Sequence, residues 1–487
     1  MFKTIKAKIP RDKDYPQRQF DIDVLTRVLN GELYDVLQHG FNEERVDGVG
    51  EYIPLRDRRP SVRYALCAIV VSDSVSMLFS EGHFPTVYCD DEPTRETLAD
   101  IIKESQINAL MIDAATIGSV GSVAIFMRVL EKRLFFTACN TQYLTPFWKK
   151  TAPDTLEKVV EKYKVKGADL AELGYTIAND DLHVDFWFQR EFDADNETWF
   201  MPWKVGSKYP LTKDAKNSTS HKLGFVPIVW VRNLPGGNDI DGKCTFPTES
   251  IDAQIEIDYQ LSQAGRGLKY SSDPTLLIKE PGIDNDGTLV KGGGNAIVVG
   301  ADGDAKMLEI DGTASEAVIN YVKTLREFAL ESAHGNRSNA DKLSAAQSGR
   351  AMELMNQSLI WLADRLRISY GEGALVSLVK MIVAASEKYP LVVDGKPIAA
   401  LKADEKITLR WPNWYAPTFA DKQSESLTLG VLRDKQLISQ ETAVQSLADS
   451  YDIEDVQAEL SRIKAEPPMT LPSDVKPKQI SLTESED

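Results

Sequence analysis

Between Arg350 and Pro390 the stretch "AMELMNQSLIWLADRLRISYGEGALVSLVKMIVAASEKY" keeps apolar residues on one helical face for almost its whole length. A helix of that extent spans ~60 Å at 1.5 Å per residue, even with a bend at Gly371 and Gly373. Ordinary globular helices run about three turns. Whatever else the chain does, it has to be arranged around a rod.

Upstream of the rod lies an ordered series. "TESIDAQIEIDYQLSQAGRGLKY" opens at Thr248 and sets Ile251, Ile255 and Tyr259 on one side, which predicts a helix of about six turns. "TLLIKEPGIDNDGTLVKGGGNAIVVGADGDAKMLEI" then alternates short β runs with Pro-Gly, Asp-Gly and Gly-Gly turns, the pattern of a small separate β subdomain. A second helix follows from Thr313, with Glu316 three residues on as a capping box and an apolar face of Val318, Tyr321, Val322, Leu325 and Phe328. The polar stretch "NRSNADKLSAAQSG" separates it from the rod and reads as a mobile loop.

The first half is mixed. Helical spacing covers 21–38 and 61–79, the second with Ser61 as its expected cap, and Thr94 and Thr97 precede a further helical pattern that runs to about Ala115. "GSVGSVAIFMRVLEKRLFFTACN" then turns to β-branched and aromatic residues, and "LHVDFWFQREF" and "ETWFMPW" flank a "DADN" turn as a hairpin. After the rod, "KITLRWPNW" reads as a strand, and helices are expected at 419–434, 439–449 and 452–464 before a Pro-rich polar tail. The fold class is therefore α+β.

Composition narrows the function. At 487 residues the chain exceeds one core, and its formal charge of −17 argues against a general electrostatic grip on DNA or an anionic membrane. Cys67, Cys89, Cys139 and Cys244 are dispersed and read as reduced core thiols. The amino terminus lacks an apolar signal core, and 114–127 is too short to span a bilayer, so neither secretion nor a membrane segment is expected.

No catalytic residue, cofactor or metal site emerges. Gly237, Gly242 and Lys243 reproduce the G-x-x-x-x-G-K spacing of a phosphate-cradling loop, but Cys244 stands where a magnesium-binding hydroxyl belongs and Pro247 precedes any helix. The alternative to a nucleotide site is a flexible hinge with Lys243 exposed. Asp193 and Asp195, Asp284 and Asp286, and Asp302 and Asp304 lack the glutamate a calcium loop requires and read as turns. The five histidines show no zinc spacing. Trp411, Trp414 and Tyr415 read as packing against the returning rod rather than as base-stacking residues.

The order of these parts resembles that of a bacteriophage portal protein, from about Arg59 to Tyr451. Locally, "SAAQSGRAMELMNQSL" looks like the start of the portal spine helix, and "FADKQSESLTLGVLRDKQLISQETAVQSL" is similar to the segment opening many portal crowns. The resemblance, to the siphophage-type portals of tailed phages, implies a wing (1–247, with 391–415 returning to it), stem helices at 248–270 and 313–335, and a clip at 271–312. It also implies a tunnel loop at 336–349, a spine helix at 350–390, a crown at 416–466 and a disordered tail at 467–487.

It implies further a ring of usually 12 copies at one capsid vertex, through which double-stranded DNA passes, with roles in packaging, retention and ejection. Expected partners are the terminase motor, the major capsid and scaffolding proteins, and head-completion or tail connector proteins. The location would be the virion, after assembly in the host bacterial cytoplasm. Asn336, Arg337, Ser338, Asn339, Asp341 and Lys342 would approach the DNA, and Lys279, Asp284, Asp286 and Lys291 would meet partners at the clip. The weak cationic content of that loop suits a conduit, because each further phosphate contact deepens binding and slows passage. The rival readings are a nucleotide-hydrolysing packaging factor using Gly237 to Lys243, and a capsid or baseplate scaffold ring that conducts nothing.

Overall fold

The computed structural model describes residues 1–208, 212–271, 275–281, 299–308, 313–335, 349–402, 406–415, 418–448, 451, 453 and 455–465. The chain divides into two compact units, Met1–Asn339 with Asn356–Trp414, and Ala340–Met355 with Tyr415–Asp487. Helices and antiparallel sheets occur throughout, so the fold is α+β.

In the first unit, α1 (Phe2–Lys6), α2 (Gln17–Leu29) and α3 (Leu66–Phe79) precede the short strand β1 (Thr86–Tyr88), and α4 (Glu92–Glu104) and α5 (Ile107–Gly118) follow. Two starts differ from the sequence expectation. Ser61 does not cap α3, which begins only at Leu66; the Val62 and Tyr64 amides donate instead to Ser262 Oγ and Asp258 Oδ1 on a distant helix. Asp91, rather than Thr94 or Thr97, caps α4, its carboxylate accepting from the Thr94 amide at 3.1 Å.

Strands β2 (Ser122–Leu130) and β3 (Arg133–Asn140) join β10 (Ile228–Arg232) in a sheet of order β10-β2-β3. The first six residues of β2 are all buried, which is why that run reads as continuously apolar rather than alternating. Between them in the chain lies a second sheet, of β4 (Leu144–Lys149), β5 (Ala152–Lys166), β6 (Asp185–Phe192), β7 (Asn196–Phe200) and β9 (Lys213–Ser220), with β8 (Trp203–Lys204) paired to β6. The short helix α6 (Gly167–Glu172) connects β5 towards β6. The β6–β7 hairpin turns where expected: Asp193 Oδ1 accepts from the Asp195 and Asn196 amides at 2.8 and 2.7 Å, so the Asp193 carboxylate serves the turn.

Helix α7 (Thr248–Ser271) leads to β11 (Thr275–Pro281) and β12 (Val299–Leu308), which pair with each other in a sheet of their own, and α8 (Thr313–Ser332) follows. The expected rod is divided. Helix α9 (Gly349–Met355) ends at Asn356, which leaves helical geometry at φ −103°, ψ 17°. Beyond it, α10 (Gln357–Leu366), a π-helical segment Arg367–Leu375 and α11 (Val376–Lys388) form one uninterrupted helix of 32 residues. It is long and apolar enough to cross a bilayer, yet more than half of its most apolar window is buried within the chain as core.

Two short pairs complete this unit: β13 (Val392–Val393) with β14 (Lys396–Pro397), and β15 (Thr408–Arg410) with β1. The second unit contains α12 (Phe419–Asp434), α13 (Gln440–Ala448) and α14 (Val456–Ala465). Thr418 and Asp421 form a capping box for α12, Ser439 caps α13, and Asp455 accepts from the first amides of α14.

Candidate functional site

The glycine-lysine loop between β10 and α7 is the first place to test for chemistry. Its amides point inward: Asn238 donates to Asp241 O, Ile240 and Asp241 to Asn238 Oδ1, Gly242 to Gly121 O and Lys243 to Leu234 O, all within 2.9 Å. A phosphate cradle requires those donors to face a concavity. Here they close a tight turn, so tight that a Cβ at Gly237 would lie 2.0 Å from Asp241 O. Desolvation pushes the Cys244 thiol up to about 12, and the next helix begins only at Thr248.

The loop is no flexible hinge either. Arg18, on α2, grips Asp241 through Nε and Nη2 at 2.6 and 2.8 Å, and its remaining donors reach Thr141 O, Leu144 O and Thr141 Oγ1. Ser122 Oγ adds a bond to Asp241 Oδ1 at 2.6 Å. Asn233 ties the other side through Ser119 O, Lys243 O and Thr245 Oγ1, and itself accepts from the Tyr370 hydroxyl on the long helix. The hinge expectation is thus overturned by a largely buried ion pair that distant sequence supplies. Lys243 is exposed, as expected.

From this fixed corner α7 and α8 run antiparallel. Ser250, in the first turn of α7, bonds Ala329 O at 3.1 Å and Ser332 Oγ at 2.8 Å in the last turn of α8. The β11–β12 pair therefore lies at the other end of the two helices. The inner face of α7 is core, with Ile251, Ile255, Ile257 and Tyr259 buried. Among the described residues of α8 Ala329 and Leu330 are buried, as is Ala333 just beyond its end, whereas Ile319, Tyr321 and Phe328 are exposed, Phe328 to 63%. The apolar face legible in the sequence is real: Val322 and Leu325 pack on the core, while Tyr321 and Phe328 lie exposed.

Asp258 holds α7 to the body. Its carboxylate accepts from the Tyr34 hydroxyl at 2.7 Å and the Tyr64 amide at 2.5 Å, and burial raises it to about 6 despite these bonds. Tyr34 is pushed up in turn, by burial first and by the carboxylate second.

The long helix is bracketed by the aromatics read as packing residues. The Arg367 guanidinium lies 4.5 Å from the Trp411 ring and 3.2 Å from that of Trp414, and burial lowers it to about 10. Trp411 also leans on Gly371, where a Cβ would sit 2.4 Å from Cζ2, and His83 Nε2 meets Trp414 O at 2.9 Å. These contacts are intramolecular packing, and both tryptophans are half-buried. Sequence reasoning found the tryptophans; nothing in it pointed to Arg367.

Among the described residues no three His, Cys, Asp or Glu side chains cluster as metal ligands. Of the expected site residues, Lys279 is exposed on β11. Asp284, Asp286, Lys291, Asn336, Arg337, Ser338, Asn339, Asp341 and Lys342 lie outside the described residues.

Comparison with known proteins gives the family. No curated protein matches the sequence. Among solved structures, the chain is similar to one from the neck of an empty GTA particle computed with C6 symmetry, at 10% identity and a TM-score of 0.40, covering 79% of this chain and 88% of that one. A family model described as phage portal protein, SPP1 Gp6-like, matches residues 61–471, most of the chain. A match of that extent places the chain in a family: it belongs to the SPP1 Gp6-like phage portal proteins.

Proposed function

We infer that the chain is the subunit of a portal ring at one capsid vertex, a structural and not an enzymatic part, through which double-stranded DNA enters, is held and leaves. The observation that carries this reading is the antiparallel pair α7 and α8, bearing a separate β pair at its far end and leaving Tyr321 and Phe328 uncovered in the single chain. Exposed aromatics on a helix are costly unless something covers them, and identical copies closing a ring supply that cover. In this reading 248–270 and 313–335 are the stem, 271–312 the clip, 350–390 the spine and 416–466 the crown, with 12 copies as the expected number.

Asn336, Arg337, Ser338, Asn339, Asp341 and Lys342 form the tunnel loop and touch phosphate briefly, which the chain's acidity keeps weak. Lys279, with Asp284, Asp286 and Lys291, meets the terminase motor during packaging and connector proteins afterwards. Major capsid and scaffolding proteins surround the ring in the virion, after assembly in the bacterial cytoplasm.

Electron microscopy of the purified protein tests the ring: closed rings with a bore of at least ~20 Å, the width implied by duplex groove dimensions, are expected. Absence of rings, or a narrower bore, defeats the conduit. Deleting 337–342 is expected to leave rings intact and impair DNA packaging; full-length packaging by that deletion removes the loop's role. The inward-facing amides of the glycine-lysine loop disfavour the nucleotide-hydrolysing alternative, so Lys243→Ala is expected to change no ATP binding in an equilibrium assay.

A further inference from the structure

Helix α12 has an apolar side that its own chain leaves open. At about 100° per residue its half-buried residues Lys422, Glu425, Leu429 and Leu432 share one side, where the Lys422 ammonium lies 4.7 Å from the Tyr451 ring. The opposite side presents Phe419, Gln423, Leu427, Gly430 and Val431, and no charged residue falls on it from Phe419 to Val431. Phe419 is 94%, Leu427 63% and Val431 51% exposed, and a Cβ at Gly430 would meet nothing within 4 Å. A surface helix ordinarily turns its charges to water; this one turns an uncharged apolar row outward for about three turns.

The same unit holds a matching cleft. Helices α13 and α14 enclose about 710 Å³ between them, floored by Leu447, Ile453, Ala458 and Ile463. Among the described residues of this unit the buried apolar side chains are Ala443, Val444, Ala448 and Leu460, a core too small to hold three helices without a further surface. The outer face of α12 cannot fill the cleft of its own chain, because the opposite side of the helix is the one that packs on α13 and Tyr451. Charges match as well. Arg433, Asp434 and Lys435 close α12 with two cations and one anion, while Asp455, Glu459 and Arg462 line the cleft with two anions and one cation. Glu459 and Arg462 pair at 3.1 Å, and exposed Asp455 caps α14 through Oδ1 alone. Antiparallel seating with Lys435 against Asp455 brings Leu427 to Ile463, since each pair is eight residues apart on its helix, and sets the carbonyl end of α12 against the amide end of α14.

We propose that the outer face of α12 in one copy of the chain seats in the α13–α14 cleft of the next, a contact that rests on the ring reading above. Two different surfaces meet in it, and repetition of such a heterologous contact is what closes a ring. The helices that each chain leaves thinly covered complete their core on the neighbouring copy.

The test co-expresses two full-length chains, one carrying Leu427→Cys and the other Ile463→Cys, and links cysteines in the purified protein with a short bis-maleimide. Peptide mapping by mass spectrometry is expected to find 427 joined to 463 in the mixture, with at least tenfold less product at either position when each variant is expressed alone. If the wild-type protein forms no rings, the ring reading fails and this contact with it. If rings form and the mixture gives no 427–463 link, the contact alone is overturned, as it would be if another segment of the same chain filled the cleft. Self-linking of Leu427→Cys at the level of the mixture marks a two-fold pairing of α12 and overturns it too. In sedimentation velocity, Leu427→Glu with Val431→Glu is expected to raise the concentration for half-assembly at least tenfold, and Leu427→Met to leave it within twofold; unchanged assembly of the glutamate variant overturns the proposal.

Discussion

Asp258 is a carboxylate that its surroundings disfavour. Two hydrogen bonds favour the charged form, but burial outweighs them and lifts it from the usual carboxylate range to about 6. Because the folded state binds this proton more tightly than the unfolded chain, its contribution to stability is complete below about pH 4 and is lost as pH rises through about 6. For a displacement of that size the loss between pH 5.0 and 7.5 is about 1.4 kcal/mol. Asp258→Asn keeps one acceptor oxygen for the Tyr64 amide and turns an NH2 towards the Tyr34 hydroxyl oxygen; having no titrating group, it should lack this component in urea denaturation, so the variant gains on wild type as pH rises. Arg18 presents the opposite balance. Its guanidinium and Asp241 are both largely buried and mutually satisfied, and Arg18→Met leaves a buried carboxylate unpaired. A loss of about 3 kcal/mol in the same measurement is expected.

Within the long helix, neighbouring glycines should respond in opposite directions. Gly371 lies against Trp411, and a methyl there must displace a ring that also covers Arg367, so Gly371→Ala should lower stability by about 1–3 kcal/mol. Gly373 meets nothing nearer than Ile368 O at 3.4 Å, and Gly373→Ala should be neutral or stabilising by up to about 1 kcal/mol through helix propensity. Thermal unfolding of the two variants separates the effects. The sequence reading allowed for a bend at these glycines; the helix instead widens there into a π segment, against which Trp411 packs at Gly371.

For the molecule as a whole, the uncovered face of α8 matters most. Tyr321 and Phe328 stand one heptad apart, 46% and 63% exposed. Tyr321→Glu with Phe328→Glu should leave the monomer's melting temperature within a degree or two, since neither ring is core, while abolishing assembly in analytical ultracentrifugation. A comparable loss of monomer stability would mean that these residues act inside the chain and not between copies.

The amino-acid sequence by itself determined the succession of elements: a mixed first half, two helices around a β insert, a long helix and a helical end. Apolar period, turn residues and caps are local signals, and they were legible in "TESIDAQIEIDYQL", in "DADN" and in Ser439. Only the tertiary structure decided what depends on residues far apart in the chain. Ser61 does not cap α3, and the amides of Val62 and Tyr64 go to Ser262 and Asp258, some two hundred positions away. The glycine-lysine loop became a rigid corner because Arg18 reaches Asp241 across 223 positions. Local spacing records which conformations a segment prefers; which charges meet, and which apolar faces find no cover, is settled only when the chain has closed on itself.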